Sequence, residues 1–207
     1  METPSKLDQI LDAFYELLIN DDIQHISVSK IAKQAGIGKG SIYYYFKSKD
    51  EMLNALIKRT YAGTLEMAKE LVSQTELSIY SRLAQITNAC VADTKEFLRR
   101  SEALRNQTPS SDRVYDSAYI HQQFMKHTIV DFKEIFTEII QQEIDKGTVK
   151  STSASEIAEI VLIIFTVKID NTLSPSSDED AAKTLQMLIT LLERGTGNKD
   201  GAFGIKI

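Results

Sequence analysis

The chain has 207 residues, of which 43% are hydrophobic and 26% are charged, and its formal net charge is −5 at pH 7. This composition is typical of a globular protein with a substantial core, and it excludes a disordered or fibrous chain. No apolar run reaches the ~18 residues of a membrane span, and the single cysteine, Cys90, excludes an internal disulfide. We therefore expect a cytoplasmic protein that is neither secreted nor inserted in a membrane.

Two short helical patterns meet at a glycine near the start of the chain. A first helix begins at Ser5, which caps it, and Ser27 caps a second helix of under ten residues that stops at Gly36. Gly38 opens a third short helix that reaches about Phe46. Helices this short need a further helix to pack on, so the spacing predicts a three-helix unit containing a helix-turn-helix.

Helical periodicity continues through the rest of the chain. Ser48 caps a long fourth helix that the apolar spacing carries to Val72, and no alternation of period two indicates a strand. Gly147 lies just past the end of a later helix, and Pro175 lies in a later break. The fold class is therefore all-α, with about nine helices. The remaining helices are predicted at residues 78–100, 114–145 in one or two segments, 154–169 and 178–194.

Spacing and charge divide the chain into two domains. We expect a helix-turn-helix domain at residues 1–48, a larger helical domain for ligand binding and dimerisation at residues 49–195, and a disordered tail at residues 196–207. The first 60 residues carry as many acidic as basic side chains, so the whole net charge of −5 lies in the remainder. An acidic body with a locally basic head favours contact with nucleic acid through a single face.

Residues 27–49 carry five lysines and no acidic residue. This local positive charge attracts a polyanion, whose phosphates displace bound counterions. A lysine cluster is more often an ordinary solvated face, but here it coincides with the helix-turn-helix. The pattern therefore predicts that this end of the chain contacts double-stranded DNA.

The same segment closely resembles the DNA-binding domain of the TetR family of bacterial transcriptional repressors. The resemblance covers roughly residues 5–60, and its centre at residues 31–49 reads Ile-Ala-Lys-Gln-Ala-Gly-Ile-Gly-Lys-Gly-Ser-Ile-Tyr-Tyr-Tyr-Phe-Lys-Ser-Lys. Many relatives have serine or threonine where this chain has Gly38, which removes one phosphate contact. The resemblance implies major-groove contacts for Lys39, Gly40, Ser41, Tyr43 and Tyr44, and phosphate contacts for Ser27, Ser29, Tyr45 and Lys49.

The apolar residues of the segment have a simpler interpretation as core. The three consecutive tyrosines cannot all be buried on so short a helix, and whether one of them packs inward stays open. The residues that we assign to the core, with no contact to DNA, are Ile31, Ala32, Ile37, Ile42 and Phe46.

Two C-terminal helices are too apolar for a monomer to bury. The helix after residue 154 is apolar on nearly every side beyond Ile160, and the final helix has two apolar edges. We predict a symmetric four-helix interface between two copies, as TetR-like regulators form, so that two recognition helices about 34–36 Å apart read a near-palindromic operator. The predicted interface residues are Ile157, Val161, Ile164, Leu185, Leu188, Ile189 and Leu192.

Aromatic and soft side chains between these regions are candidates for a ligand pocket, although most of them are also interpretable as ordinary core. A pocket made from them would favour an apolar or aromatic effector, with Cys90 and His121 as polar points. The candidate residues are Cys90, Phe97, Tyr115, Tyr119, His121, Phe124, Met125, Phe132, Phe136 and Phe165.

Together these features predict a homodimeric transcriptional regulator, namely a repressor that an unknown small molecule releases from its operator. Two alternatives remain open: a DNA-bound structural or division-linked protein of the same fold without an inducer, and an activator. We expect no enzyme, because the sequence has no phosphate-cradling glycine loop and no nucleophile arrangement. His121 and His127 are six residues apart and form no pair of metal ligands, so we expect neither a metal nor another cofactor.

Overall fold

The computed structural model of the protein describes the backbone of residues 5–105, 111–170 and 174–199, and the side chains of residues 5–97, 118–168, 174–177 and 179–199. These residues form nine α-helices and no strand, which confirms the predicted fold class. Within them, no helix combines the length and the apolar character that a membrane span requires. The helices are α1 (Lys6–Asn20), α2 (Val28–Ala35), α3 (Lys39–Tyr45), α4 (Lys49–Thr60), α5 (Ala62–Ser73), α6 (Ile79–Arg105), α7 (Ser111–Asp145), α8 (Ala154–Asp170) and α9 (Asp178–Gly195), and a 3₁₀ turn at Ile23–His25 precedes α2.

Local capping fixes the ends of the first helices where the sequence predicts them. Ser5 Oγ accepts a hydrogen bond from the N–H of Asp8 at 3.1 Å, and Ser27 Oγ accepts one from the N–H of Lys30 at 3.2 Å. α2 ends at Gly36, whose φ of 67° and ψ of 27° lie in the left-handed region that glycine adopts without steric penalty. The predicted turn of the helix-turn-helix is thus confirmed.

The predicted fourth helix through Val72 is wrong, because the chain breaks at Tyr61 between α4 and α5. Tyr61 is buried, and the centroid of its ring lies 5.6 Å from that of Phe132. Its hydroxyl donates a hydrogen bond to Asp131 Oδ2 at 2.5 Å. Burial and this carboxylate raise the pKa of Tyr61 well above its ordinary value. The break therefore accompanies contacts with α7, 70 residues further along the chain.

The chain forms two compact units. The first unit runs to Thr60 and adds residues 93–123, and the second contains Tyr61–Ala92 and the chain from Phe124 onward. α6 and α7 therefore each contribute residues to both units. The predicted domain boundary after residue 48 and the predicted tail at residues 196–207 stay predictions, and the chain from residue 200 onward lies outside the described residues.

A buried ionic cluster holds α6 against the end of α7 in the second unit. Arg82 is fully buried and donates to Gln142 Oε1 at 2.6 Å and to Glu143 Oε1 at 2.9 Å. Burial alone would raise the pKa of Glu143, but hydrogen bonds from Lys146 and Thr148 and the positive charges outweigh it and hold this pKa below its usual range. Breaking such a cluster by removing one partner is costly, because it leaves a buried charge uncompensated.

Candidate nucleic-acid interface and ligand cavity

The helix-turn-helix has a closed apolar interior. Ile31 and Ile42 are fully buried, and Ala32 and Phe46 are nearly so, which confirms four of the five predicted core positions. The fifth, Ile37, is half-buried just after the turn. Because Ile31 and Ala32 lie on α2 and Ile42 lies on α3, their burial fixes which side of α3 faces outward.

The outward side of α3 presents the residues that the resemblance assigns to the major groove. Lys39 and Gly40 are exposed, and the exposed fractions of Tyr43 and Tyr44 are 52% and 84%. Ser41 is half-buried. No heavy atom lies within 4 Å of the position that a Cβ would occupy at Gly40. The bare backbone there is therefore not required by internal packing.

Tyr45 is the most covered of the three tyrosines. It is half-buried, and its ring meets that of Tyr44 edge to face with a centroid distance of 5.1 Å. This arrangement leaves Tyr43 and Tyr44 as the two more exposed tyrosines of α3. The question that the sequence left open is thereby answered, since no tyrosine of α3 is fully buried.

The predicted phosphate contacts flank α3 on its two neighbouring helices. Ser27 and Ser29 are exposed at the start of α2, where Ser27 Oγ also caps the helix. Lys49 opens α4, and its Nζ donates to the backbone carbonyl of Ile23 at 2.7 Å. A carbonyl does not neutralise the ammonium charge, and it leaves two of the three donors of Lys49 for another acceptor.

The remaining lysines of residues 27–49 differ in their surroundings. Lys30 pairs with Asp21 at 2.7 Å, and this hydrogen bond lowers the pKa of Asp21. The sequence pattern did not reveal Asp21 as a partner, because it lies outside residues 27–49. Lys33, Lys39 and Lys47 are exposed and form no ion pair with any residue that the structure describes. The cationic surface therefore depends on these three lysines and on Lys49.

Two hydrogen bonds between side chains and backbone fix the start of α4. Ser48 Oγ accepts from the N–H of Glu51 at 3.1 Å, as the predicted capping box requires. Glu51 in turn accepts from the N–H of Lys47 at 2.6 Å, one residue earlier than in the standard box. Lys47, Ser48 and Lys49 are thus held in a fixed arrangement directly after α3.

The second unit contains a cavity of about 300 Å³ between α6, the end of α7, α8 and α9. Its lining is mostly aliphatic, and no lysine, arginine, histidine or acidic side chain belongs to it among the described residues. The lining residues are Ile79, Tyr80, Leu83, Ala84, Thr87, Asn88, Ile140, Val149, Ile157, Val161, Phe165, Ala182, Leu185, Gln186, Leu188, Ile189 and Leu192.

The residues predicted to form a pocket are divided between the two compact units, and their role in a pocket stays a prediction. Phe97, Tyr119 and His121 belong to the first unit, where Phe97 packs on Tyr15 and Tyr119 donates to Asp50 at 3.0 Å. Phe165 lines the cavity of the second unit. The side chain of Tyr115 lies outside the described residues. The other predicted residues, which belong to the second unit but do not line this cavity, are Cys90, Phe124, Met125, Phe132 and Phe136.

Six of the seven residues predicted for the dimer interface line the cavity of their own chain, and the seventh, Ile164, is half-buried. Their place in an interface stays a prediction. The outward faces of α8 and α9 expose Ile160, Ile163, Met187 and Leu191, with exposed fractions from 42% to 61%. Since α8 is apolar all round, its periodicity did not indicate which of its sides faces solvent.

The described residues form an all-helical fold with an N-terminal helix-turn-helix, and the third helix is exposed and carries a lysine. These features place the protein in the class of helix-turn-helix proteins. Residues 10–56 match the sequence model of the bacterial regulatory proteins of the tetR family. The match covers the helix-turn-helix and most of α4, which is the part of the chain that is similar to this family. Among the described residues, no group of histidine, cysteine and acidic side chains is arranged to hold a metal ion.

Two curated proteins are similar to part of the chain. The chain is 39% identical over 69 residues to the fatty acid metabolism regulator protein of Bacillus subtilis, which covers 33% of this chain and 36% of that protein. It is 32% identical over 102 residues to the nucleoid occlusion factor SlmA of Aliivibrio fischeri. This match covers 49% of this chain and 42% of that protein. The matches thus span less than half the length of these relatives.

The whole fold is similar to that of a solved regulator. Thermus thermophilus FadR, a TetR-family transcriptional repressor in complex with lauroyl-CoA, superimposes with a TM-score of 0.61 over 91% of this chain and 94% of that one. The sequence identity is 18%. At this identity the similarity establishes the fold alone.

Proposed function

We propose that the protein is a cytoplasmic, homodimeric transcriptional regulator that binds a near-palindromic operator and leaves it when a small apolar molecule binds. The exposed face of α3 is the observation that carries this proposal. Lys39, Tyr43 and Tyr44 reach solvent there, while Ile42 on the opposite side is buried. This is the arrangement in which a recognition helix presents side chains to base edges.

Base reading and phosphate binding fall to different residues in this proposal. Lys39 donates to guanine acceptors in the major groove, and Gly40 lets the backbone approach closely. Ser29, Tyr45 and Lys49 bind phosphates on either side, together with the amino-terminal ends of α2 and α4. The carbonyl of Ile23 supports this role of Lys49, because it orients the ammonium without cancelling its charge.

The dimer that we propose uses the outward faces of α8 and α9. Four large apolar side chains are exposed there, namely Ile160, Ile163, Met187 and Leu191. A contiguous exposed apolar patch marks an interaction site, and a twofold axis buries the same patch on both copies. Two copies also double the operator contacts of one short recognition helix.

Ligand-controlled release is supported by the cavity and by the course of α6. Residues of α6 from Ile79 to Asn88 line the cavity, and the same helix continues to Arg105 in the first unit. An effector that binds one position of this helix better than another shifts the population between them. Release follows if the favoured state separates the two recognition helices by a distance that no longer matches adjacent major grooves.

A division-linked role without an inducer is the second candidate, and the similarity to nucleoid occlusion factor SlmA favours it. The two candidates make different demands on the second unit, because an effector needs a cavity and a scaffold does not. The cavity of about 300 Å³ supports the ligand-responsive regulator. Catalysis is not part of our proposal, and the similar proteins with a stated role are regulators or DNA-associated factors.

The test is recovery of an operator by the purified protein from fragments of its own genome, followed by footprinting. The variant Lys39→Ala/Tyr44→Ala should lose sequence-specific binding, whereas Val130→Ala, which changes an exposed side chain of the second unit outside the cavity, should retain it. Equal footprints for all three proteins would contradict the assignment of α3.

A further inference from the structure

Three consecutive residues in the first turn of α4 form side-chain hydrogen bonds. Lys49 and Glu51 bind backbone groups of residues that precede α4, at 2.7 and 2.6 Å. Asp50 lies between them, and its Oδ1 accepts a hydrogen bond at 3.0 Å from the hydroxyl of Tyr119 on α7. Asp50 and Tyr119 both belong to the first unit. The turn that carries Lys49 is therefore tied to a helix 69 residues further along the chain.

We propose that Tyr119 is a positioning residue for DNA binding, because its hydroxyl holds Asp50 and thereby orients the neighbouring Lys49 toward a phosphate. Tyr119 itself contacts no DNA in this arrangement. Its role in DNA binding rests on the proposed function, whereas its effect on the first turn of α4 can be measured in the protein without DNA.

The effect passes from Asp50 to Lys49 through the backbone of one helical turn. The two residues are adjacent at the start of α4, and Ser48 caps the turn. Lys49 already uses one of its three donors on the carbonyl of Ile23. A small shift of this turn therefore changes the direction in which the other two donors point.

The charge of Asp50 gives the hydrogen bond a second effect. Asp50 is exposed, and an unrestrained carboxylate beside a phosphate-binding lysine repels the phosphate. The bond to Tyr119 directs this carboxylate toward α7. Partial burial and the carboxylate raise the pKa of Tyr119 above its ordinary value, so its hydroxyl stays protonated and remains a donor at neutral pH.

The helix that carries Tyr119 also contributes to the cavity. α7 runs without a break from Ser111 to Asp145, and Ile140 on the same helix lines the cavity of the second unit. The contacts of Lys49 and Glu51 stay within the first 51 residues, whereas that of Asp50 reaches this helix. The hydrogen bond from Tyr119 thus joins the phosphate-contacting turn to a helix of the ligand site.

A double-mutant cycle on the full-length protein, with the recovered operator duplex, tests the inference. Tyr119→Phe keeps the ring and removes the hydroxyl, and we expect it to weaken operator binding about fivefold, which corresponds to one net hydrogen bond. In the Lys49→Met background the same change should weaken binding by less than about twofold, because the contact that it positions is already gone. In the Lys39→Ala background, which alters α3 and leaves Lys49 in place, the loss should again be about fivefold.

Two variants of Asp50 separate its hydrogen bond from its charge. Asp50→Asn keeps an oxygen that accepts from Tyr119, Asp50→Ala removes it, and both remove the negative charge. Asp50→Asn should therefore bind the operator about fivefold more tightly than Asp50→Ala. In the Tyr119→Phe background this difference should disappear.

Amide hydrogen exchange measures the position of the turn without DNA. Because the first turn of α4 loses a contact in Tyr119→Phe, the amides of residues 49–53 should exchange faster than in the wild type. Unchanged exchange there would overturn the inference.

The DNA measurements distinguish failure of the inference from failure of the proposed function. If the wild type binds its operator and Tyr119→Phe binds equally well, or loses the same affinity with and without Lys49, the inference is wrong and the regulator stands. A wild-type protein that binds no DNA refutes the proposed function and the inference with it.

Discussion

The salt dependence of DNA binding provides a quantitative test of Lys49. Lys49→Met removes one positive charge from each recognition unit and keeps most of the aliphatic stem. Since the logarithm of the affinity falls with that of the salt concentration by about 0.9 for each phosphate contact, a dimer that loses two contacts should show a slope flatter by about 1.8. The affinity ratio of wild type to variant should then shrink about 12-fold between 50 and 200 mM salt.

Fluorescence anisotropy with a labelled operator duplex and with a scrambled duplex measures this slope. Because a phosphate contact carries no base information, the variant should lose similar affinity for both duplexes. Lys69→Met is the matched control. Lys69 lies in the second unit and pairs with Glu66 at 2.7 Å, so removing the same charge there should leave the slope unchanged.

The free energy of unfolding distinguishes a structural role of Lys49 from a role in binding phosphate. The variant leaves the carbonyl of Ile23 without this donor, which should lower the free energy of unfolding by about 1 kcal/mol in urea titrations. If the folded variant kept the wild-type salt slope while showing this loss of stability, Lys49 would act only as a donor to Ile23. That result would refute its assignment to a phosphate.

Three further predictions concern the second unit. Leu191→Glu should give monomers in analytical ultracentrifugation, because a charge would enter the proposed interface. Val130→Glu, at an α7 position with the same exposed fraction of 61%, should leave a dimer. A dimer in both variants would exclude this face as the interface. Tyr61→Phe should lower the free energy of unfolding in urea by about 1–3 kcal/mol, because Asp131 loses the Tyr61 hydroxyl as a donor, and an unchanged value would mean that water replaces the hydroxyl. The pKa of Glu143 is lower in the folded protein than its ordinary value of 4.5, so its contribution to stability is complete above that pH and is lost as the pH falls through the folded pKa. Urea midpoints between pH 6 and pH 2 should therefore fall less steeply in Glu143→Gln than in the wild type, and parallel curves would contradict this.

Interactions between residues close in sequence could be predicted from the sequence. The caps at Ser5, Ser27 and Ser48 join residues three apart, and the left-handed turn at Gly36 needs only the conformational freedom of glycine. The buried and exposed sides of α3 also followed from its spacing, because Ile42 is an isolated apolar residue between polar neighbours and tyrosines.

Only the tertiary structure decided which equivalent-looking faces turn inward and which charges pair. The break at Tyr61 depends on Asp131, and the pairing of Lys30 with Asp21 depends on how α2 packs after the 3₁₀ turn. Ile160 and Val161 are neighbours of similar hydropathy on α8, yet one is exposed and the other lines a cavity. Periodicity describes a helix by itself, whereas burial depends on contacts with distant parts of the chain. For this reason most of the helices and the exposed side of α3 could be deduced from the sequence, whereas the cavity and the outer face of α8 and α9 became visible only in the folded structure.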